Sequence, residues 1–139
     1  MLLNEVLVNI RCGLDLVEIS RIESAISKGS DRFLERIFTA SELDESRHRT
    51  QSLAGYYAAK EAVAKALGTG LLVKGIRFTD IEILKDQLGA PMVKLSAAAK
   101  ARYDELGGKS LAVSITHEKA YAAAVCYMVC DSLRQIDDR

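Results

Sequence analysis

The chain has 139 residues, a mass of 15.2 kDa and 49% hydrophobic residues, enough for one domain with a real apolar core. Its 19 Lys and Arg balance 19 Asp and Glu, so the formal charge is zero, which argues against nucleic-acid binding through bulk positive charge. No run approaches the roughly 18 apolar residues of a membrane span, and the first eleven residues have no basic leader and carry Asn4, Glu5 and Asn9. Three cysteines, Cys12, Cys126 and Cys130, have no metal-ligand spacing and form no disulfide framework. These features predict a reduced, cytoplasmic, single domain over residues 1–139.

In chain order, Val6, Val8 and Ile10 open a β-rich segment predicted as a strand to about Leu14. Ile19, Ile22 and Ile26 recur at helical spacing over 17–28, and Gly29 is expected to stop that helix. A second short helix over 31–37 puts Phe33, Leu34 and Ile37 on one side. Thr39 followed by Glu42 has the form of a capping box and starts a third. Residues 52–67 carry the strongest helical signal. Ala54, Ala58, Ala59, Ala62, Ala64 and Ala66 make that helix thin enough for other elements to approach closely, and Gly68-Thr69-Gly70 ends it.

The second half changes character. Residues 78–85 alternate around Ile81 and Ile83, 86–89 form a turn, and 91–95 return as a strand. A helix is expected over 96–106, closed by Gly107-Gly108. Leu111, Val113 and Ile115 then alternate as a strand, His117-Glu118-Lys119 turns, and 121–129 form the longest strand. Helices early and hairpins late predict an α+β domain with an antiparallel sheet.

Several residues could carry chemistry. Asp15 lies where the first strand should give way to a helix, a place where it serves either as an N-cap or as a site carboxylate. Glu61 and Lys65 share a helix face at i, i+4, either as a surface ion pair or as a metal carboxylate beside a phosphate-binding lysine. Asp15 and Glu61 together suit Mg²⁺, which takes one or two protein carboxylates and completes its shell with water and phosphate oxygens. Arg21, Lys28, Arg32 and Arg36 form a basic stripe if the early helices are continuous, and they then offer either a solvated face or a dock for an acidic partner. His117, at a hairpin turn, is either solvated or part of a site. No Ser-His-Asp or Cys-His order points to a covalent nucleophile.

Taken together these blocks resemble one family. Gly13-Leu14-Asp15-Leu16-Val17-Glu18-Ile19 with Arg21-Ile22, then Phe38-Thr39 with Glu42-Leu43, are similar to the first two signatures of holo-acyl-carrier-protein synthases. Ala58-Ala59-Lys60-Glu61-Ala62 and Lys65-Ala66-Leu67-Gly68-Thr69-Gly70 resemble the family's central motif. Asp80-Ile81-Glu82-Ile83, Gly89-Ala90-Pro91 and Ser114-Ile115-Thr116-His117-Glu118 complete the order, from about Cys12 to Val125.

The resemblance implies the 4'-phosphopantetheinyl transferase fold, with the long Ala-rich helix against an antiparallel sheet, in a homotrimer with sites between subunits. It implies transfer of the phosphopantetheine arm of coenzyme A to a serine of apo acyl carrier protein, for fatty acid biosynthesis. It implies that Asp15 and Glu61 hold Mg²⁺ and that Lys65 acts on the phosphates. Glu61, or a metal-bound water beside it, takes the serine proton. Gly68, Gly89, Pro91 and His117 line the coenzyme A site, and Arg21, Lys28 and Arg32 dock the carrier. One departure stands out: Tyr56 occupies a position where family members commonly carry Arg, leaving Arg47 or Arg49 as substitute cations. The tail from Cys130 onward is expected to be poorly ordered.

Overall fold

The helix that organises the fold is thin because its sequence is rich in alanine. The computed structural model describes residues 8–131 of the chain. In chain order these form β1 (Val8–Glu18), α1 (Ile19–Ile37), α2 (Ala40–Ser46), α3 (Thr50–Ala66), a 3₁₀ turn (Phe78–Asp80), β2 (Ile81–Lys85), β3 (Pro91–Leu95), α4 (Ala97–Glu105), β4 (Gly108–His117) and β5 (Tyr121–Asp131). An antiparallel sheet has the order β1-β5-β4, and β2 and β3 make a separate hairpin. The α+β architecture is the one expected.

α3 packs against all three strands of the larger sheet. Leu53, Ala58, Ala59, Ala62, Val63 and Ala66 are buried on the helix, and Ala124, Cys126 and Met128 are buried on β5. Each large apolar side chain so buried contributes roughly 1.5–3 kcal/mol. The closest approach is at Gly13 on β1, where a Cβ would collide with the Ala62 carbonyl. Burial pushes the Cys126 thiol up to about 12, which makes it an inert core group.

A buried ionic network ties the hairpin to the helices. Lys60 and Glu42 are both fully buried, with Nζ 2.8 Å from Oε1. Lys60 also donates to the carbonyls of Phe78 (3.0 Å) and Ile81 (2.7 Å). Glu42 accepts from the backbone N–H of Thr39, completing the capping box, and from that of Ile83, each at 2.8 Å.

Four local expectations change. The early helices are one, α1, running through Gly29. A mid-helix glycine costs about 1 kcal/mol against Ala, a cost that apolar contacts on both sides of it offset, since Ile22, Ile26, Phe33 and Leu34 all pack on the core. β1 extends to Glu18 because β5 is long enough to pair with all of it, Glu18 opposite Tyr121. Asp15 is therefore a strand residue opposite Ala124, and the helix begins at Ile19. Residues 78–80 form a 3₁₀ turn, because the Asp80 carboxylate reaches back to the Arg77 N–H at 3.1 Å. Cys130 and Asp131 belong to β5, while Val6, Leu7 and residues 132–139 lie outside the described residues.

Candidate active site

Three charged residues from β1 and α3 converge. The period-2 alternation of β1 turns Asp15 toward α3, with its side chain 16% exposed. From α3, Lys65 crosses to it: Nζ lies 3.1 Å from Asp15 Oδ1 and 2.8 Å from the Leu14 carbonyl oxygen. The lysine thus uses two of its three donors on the strand. Glu61 sits one turn before Lys65. Burial raises its pKa, and the nearby Asp15 carboxylate raises it further; a Tyr57 hydrogen bond and Lys65 work the other way. Tyr57 donates its hydroxyl to Glu61, and burial followed by the Glu61 charge raises the phenol's pKa. The Tyr57 ring is held by stacking on Phe78, with centroids 5.4 Å apart. The Tyr57–Glu61 spacing of four residues was the sequence signal for this partner.

Asp15 and Glu61 are therefore close enough to repel. Two converging carboxylates form a hard oxygen donor pair that fits Mg²⁺, which leaves several positions to water and phosphate. No third His, Cys, Asp or Glu completes a metal-binding group with them among the described residues.

A groove of about 220 Å³ lies on another side of α3, lined by Ser52, Gly55, Tyr56, Lys85, Gly89, Pro91, Ile115 and His117. It gathers three predicted residues, Gly89 from the β2–β3 turn, Pro91 from the start of β3 and His117 from the end of β4. Gly89 has φ +86°, the left-handed conformation that closes the hairpin turn. Lys85, on the same hairpin, had no motif to announce it. Gly68 stands apart from both clusters. It has φ +78° at the end of α3, beneath the guanidinium of Arg11, which donates to the Ala66 carbonyl at 2.8 Å.

A third region surrounds Arg21. The continuous α1 places Arg21, Lys28, Arg32 and Arg36 within one helix face, all exposed. Beside that face is a cavity of about 720 Å³ with Arg21, Arg36 and Arg77 around a floor that includes Ile22, Phe33 and Phe78. Tyr57 also lines it and so joins the basic face to the carboxylate pair.

The chain is similar to several known proteins. The holo-[acyl-carrier-protein] synthase of Ruminiclostridium cellulolyticum is 49% identical over 116 residues, covering 81% of this chain and 86% of that protein. The synthase of the same name from Shewanella amazonensis is 47% identical over 119 residues, covering 84% and 94%. The crystal structure of the Helicobacter pylori synthase in complex with coenzyme A superposes with a TM-score of 0.77 at 38% identity, covering 84% of this chain and 98% of that one. A Plasmodium yoelii acyl carrier protein synthase with ADP bound gives 0.79 at 28% identity, covering 89% and 98%. Residues 11–126 match the family profile described as the 4'-phosphopantetheinyl transferase superfamily, and the chain belongs to that superfamily.

Proposed function

We propose that this chain is a holo-[acyl-carrier-protein] synthase, moving the 4'-phosphopantetheine arm of coenzyme A onto a serine of apo acyl carrier protein and releasing adenosine 3',5'-bisphosphate. The observation that carries the reading is the convergence of Asp15, Glu61 and Lys65, drawn from positions about 50 apart in sequence, in a chain whose relatives carry that name. Such a transfer asks mainly for positioning and charge neutralisation. Asp15 and Glu61 are the residues that would hold Mg²⁺, and the ion, when bound, supplies charge neutralisation on the pyrophosphate.

The chain's own residues supply the rest. Lys65, half exposed, presents its ammonium beside the carboxylates, where it stabilises charge developing on the leaving bisphosphate. Glu61, beside Asp15 and Lys65, is the protein group assigned to accept the serine proton. Tyr57 orients it. The serine oxygen bonds to the β-phosphorus of the pyrophosphate, the bond to the bridging oxygen breaks, and the bisphosphate leaves with that oxygen. The groove of Gly89, Pro91 and His117 takes the adenosine end, and the Arg21 face docks the acidic carrier.

The open side of the larger sheet supports an oligomer, which in this reading is a homotrimer. Ile10, Leu14 and Leu16 on β1 are 64–66% exposed, and Tyr127 on β5 is 55% exposed. A contiguous apolar sheet face of this kind is what a subunit interface covers. The cytoplasm is the matching compartment, and no helix among the described residues is long and apolar enough to cross a membrane.

The test incubates the protein with coenzyme A, Mg²⁺ and apo carrier, then weighs the carrier. A mass gain equal to the phosphopantetheine arm is the expected result; an unchanged carrier overturns the reading. For the shared site, Glu61→Ala and His117→Ala, each inactive alone, are co-expressed. In proven mixed trimers random pairing restores about a quarter of sites if the two residues come from different subunits. No recovery places both in one chain.

A further inference from the structure

The groove holds one group that the mechanism above does not use. Tyr56 is 5% exposed and forms part of the groove wall. Its hydroxyl is buried without a hydrogen-bond partner, the one such side-chain atom among the described residues. Leaving a buried hydroxyl unpaired costs about 1–3 kcal/mol, and buried polar groups in folded proteins almost always have a partner. Lys60, four residues on in the same helix, shows the usual outcome: it is fully buried and has three partners. Around Tyr56 the groove offers Lys85 and His117 as basic side chains and Pro91 and Ile115 as apolar walls. Apolar walls with a few convergent polar groups suit a flat base that carries a phosphate.

We propose that the Tyr56 hydroxyl is one half of a hydrogen bond whose other half arrives with the ligand. It donates to the 3'-phosphate at the adenosine end of coenzyme A, beside Lys85 and His117, and so sets how strongly this chain distinguishes phosphorylated from 3'-dephosphorylated ligand. The assignment rests on the functional reading above. In that reading the pyrophosphate belongs to Asp15, Glu61 and Lys65, which leaves the 3'-phosphate for this groove. The oxygen is buried in the unliganded chain, so the ring must turn about its side-chain torsions on binding to carry it from the wall into the groove. The ionised phosphate makes this bond charge-assisted, but the phenol adds no charge of its own, so its bond is weaker than that of a guanidinium and less sensitive to salt.

The experiment titrates the full chain in its native assembly with adenosine 3',5'-bisphosphate and, separately, adenosine 5'-monophosphate, by calorimetry. Tyr56→Phe removes only the oxygen. It should bind the bisphosphate about 10- to 100-fold more weakly, the value of one hydrogen bond to a charged group, and the monophosphate as the wild type does. The unliganded variant should melt no lower than wild type, since it loses an unpaired polar atom and keeps the ring. Unchanged bisphosphate affinity, or an equal loss for both nucleotides, overturns the proposal, as does a wild type with no preference for the bisphosphate. The carrier-mass assay separates the two readings. A wild type that prefers the bisphosphate but leaves the carrier unmodified fails the functional reading alone; one that modifies the carrier while Tyr56→Phe binds normally fails the Tyr56 assignment alone.

Discussion

Lys60 and Lys65 stand five residues apart on α3, yet their surroundings are opposite. Lys60 is fully buried, and its ammonium spends all its hydrogen-bonding capacity on Glu42 and two carbonyls. Burial lowers its pKa, against the pull of Glu42. Lys65 is half exposed and holds Asp15 and one carbonyl, with its remaining donor capacity facing solvent. A buried charge is tolerated only when its partners are complete, so Lys60 has nothing left to give a substrate. An exposed charge costs little to keep incompletely paired. The comparison separates a lysine that holds the fold together from one that is available for chemistry.

The largest expected effect breaks the buried side of that comparison. Lys60→Met leaves Glu42 charged and buried without its cation, which should cost about 3–5 kcal/mol of stability in urea unfolding. Replacing Glu42 by Gln in the same protein should recover part of that loss. A loss below about 1 kcal/mol for Lys60→Met would mean that the pair carries no such burden.

The next variant acts on the exposed side. Lys65→Ala should leave stability within about 1 kcal/mol of wild type. Turnover should fall roughly 100-fold, with a smaller change in coenzyme A binding, as for a group that works mainly on leaving-group charge. Equal turnover with a raised Michaelis constant would make Lys65 a ground-state contact only.

A smaller effect belongs to α1. Arg21→Glu should raise the Michaelis constant for carrier about 5-fold at low salt and less at high salt, with that for coenzyme A unchanged. Indifference to salt and to carrier concentration would remove Arg21 from the docking face.

The smallest effect is a pH signature. Burial and Asp15 raise the Glu61 pKa in the folded, metal-free protein. The folded state then holds this proton to higher pH than the unfolded chain does, so stability falls as pH rises from the ordinary carboxylate range through the folded value. Above that window the ionised Glu61 is a net cost. Glu61→Gln removes the cost, and the metal-free variant should melt about 2 °C above wild type at pH 7. Near pH 4, where the wild-type group is protonated in the folded state, the difference should vanish. A gain of equal size at both pH values would assign it to packing instead of charge.

Much of this arrangement was legible in the chain itself. Thr39 and Glu42 announced their capping box, since both halves of that motif are local. The alanines of α3 announced a helix that others approach closely, and Gly13 meets it as that thinness allows. What the sequence hid was hidden by distance. Gly29 looked like a helix stop, because propensity is local and the apolar packing that carries α1 past it is not. Asp15 looked like a junction residue, because the length of β1 is set by β5, more than 100 positions later. Glu42 and Lys60 each had a motif, and neither showed that the two would meet in the core.

Local order therefore determined which residue types stand where: the spacing of Glu61 and Lys65 on one helix face, the alternation of β1, the turn at Gly89 and the family to which these motifs belong. Tertiary structure decided what each charge does. It turned Lys65 toward Asp15, brought the two carboxylates close enough to repel, and left the Tyr56 hydroxyl in the groove wall without a partner. The physical reason is that helix and strand periodicity follow from neighbours a few residues away, whereas burial, and with it the cost of a charge or an unpaired hydroxyl, depends on elements that arrive from the far ends of the chain.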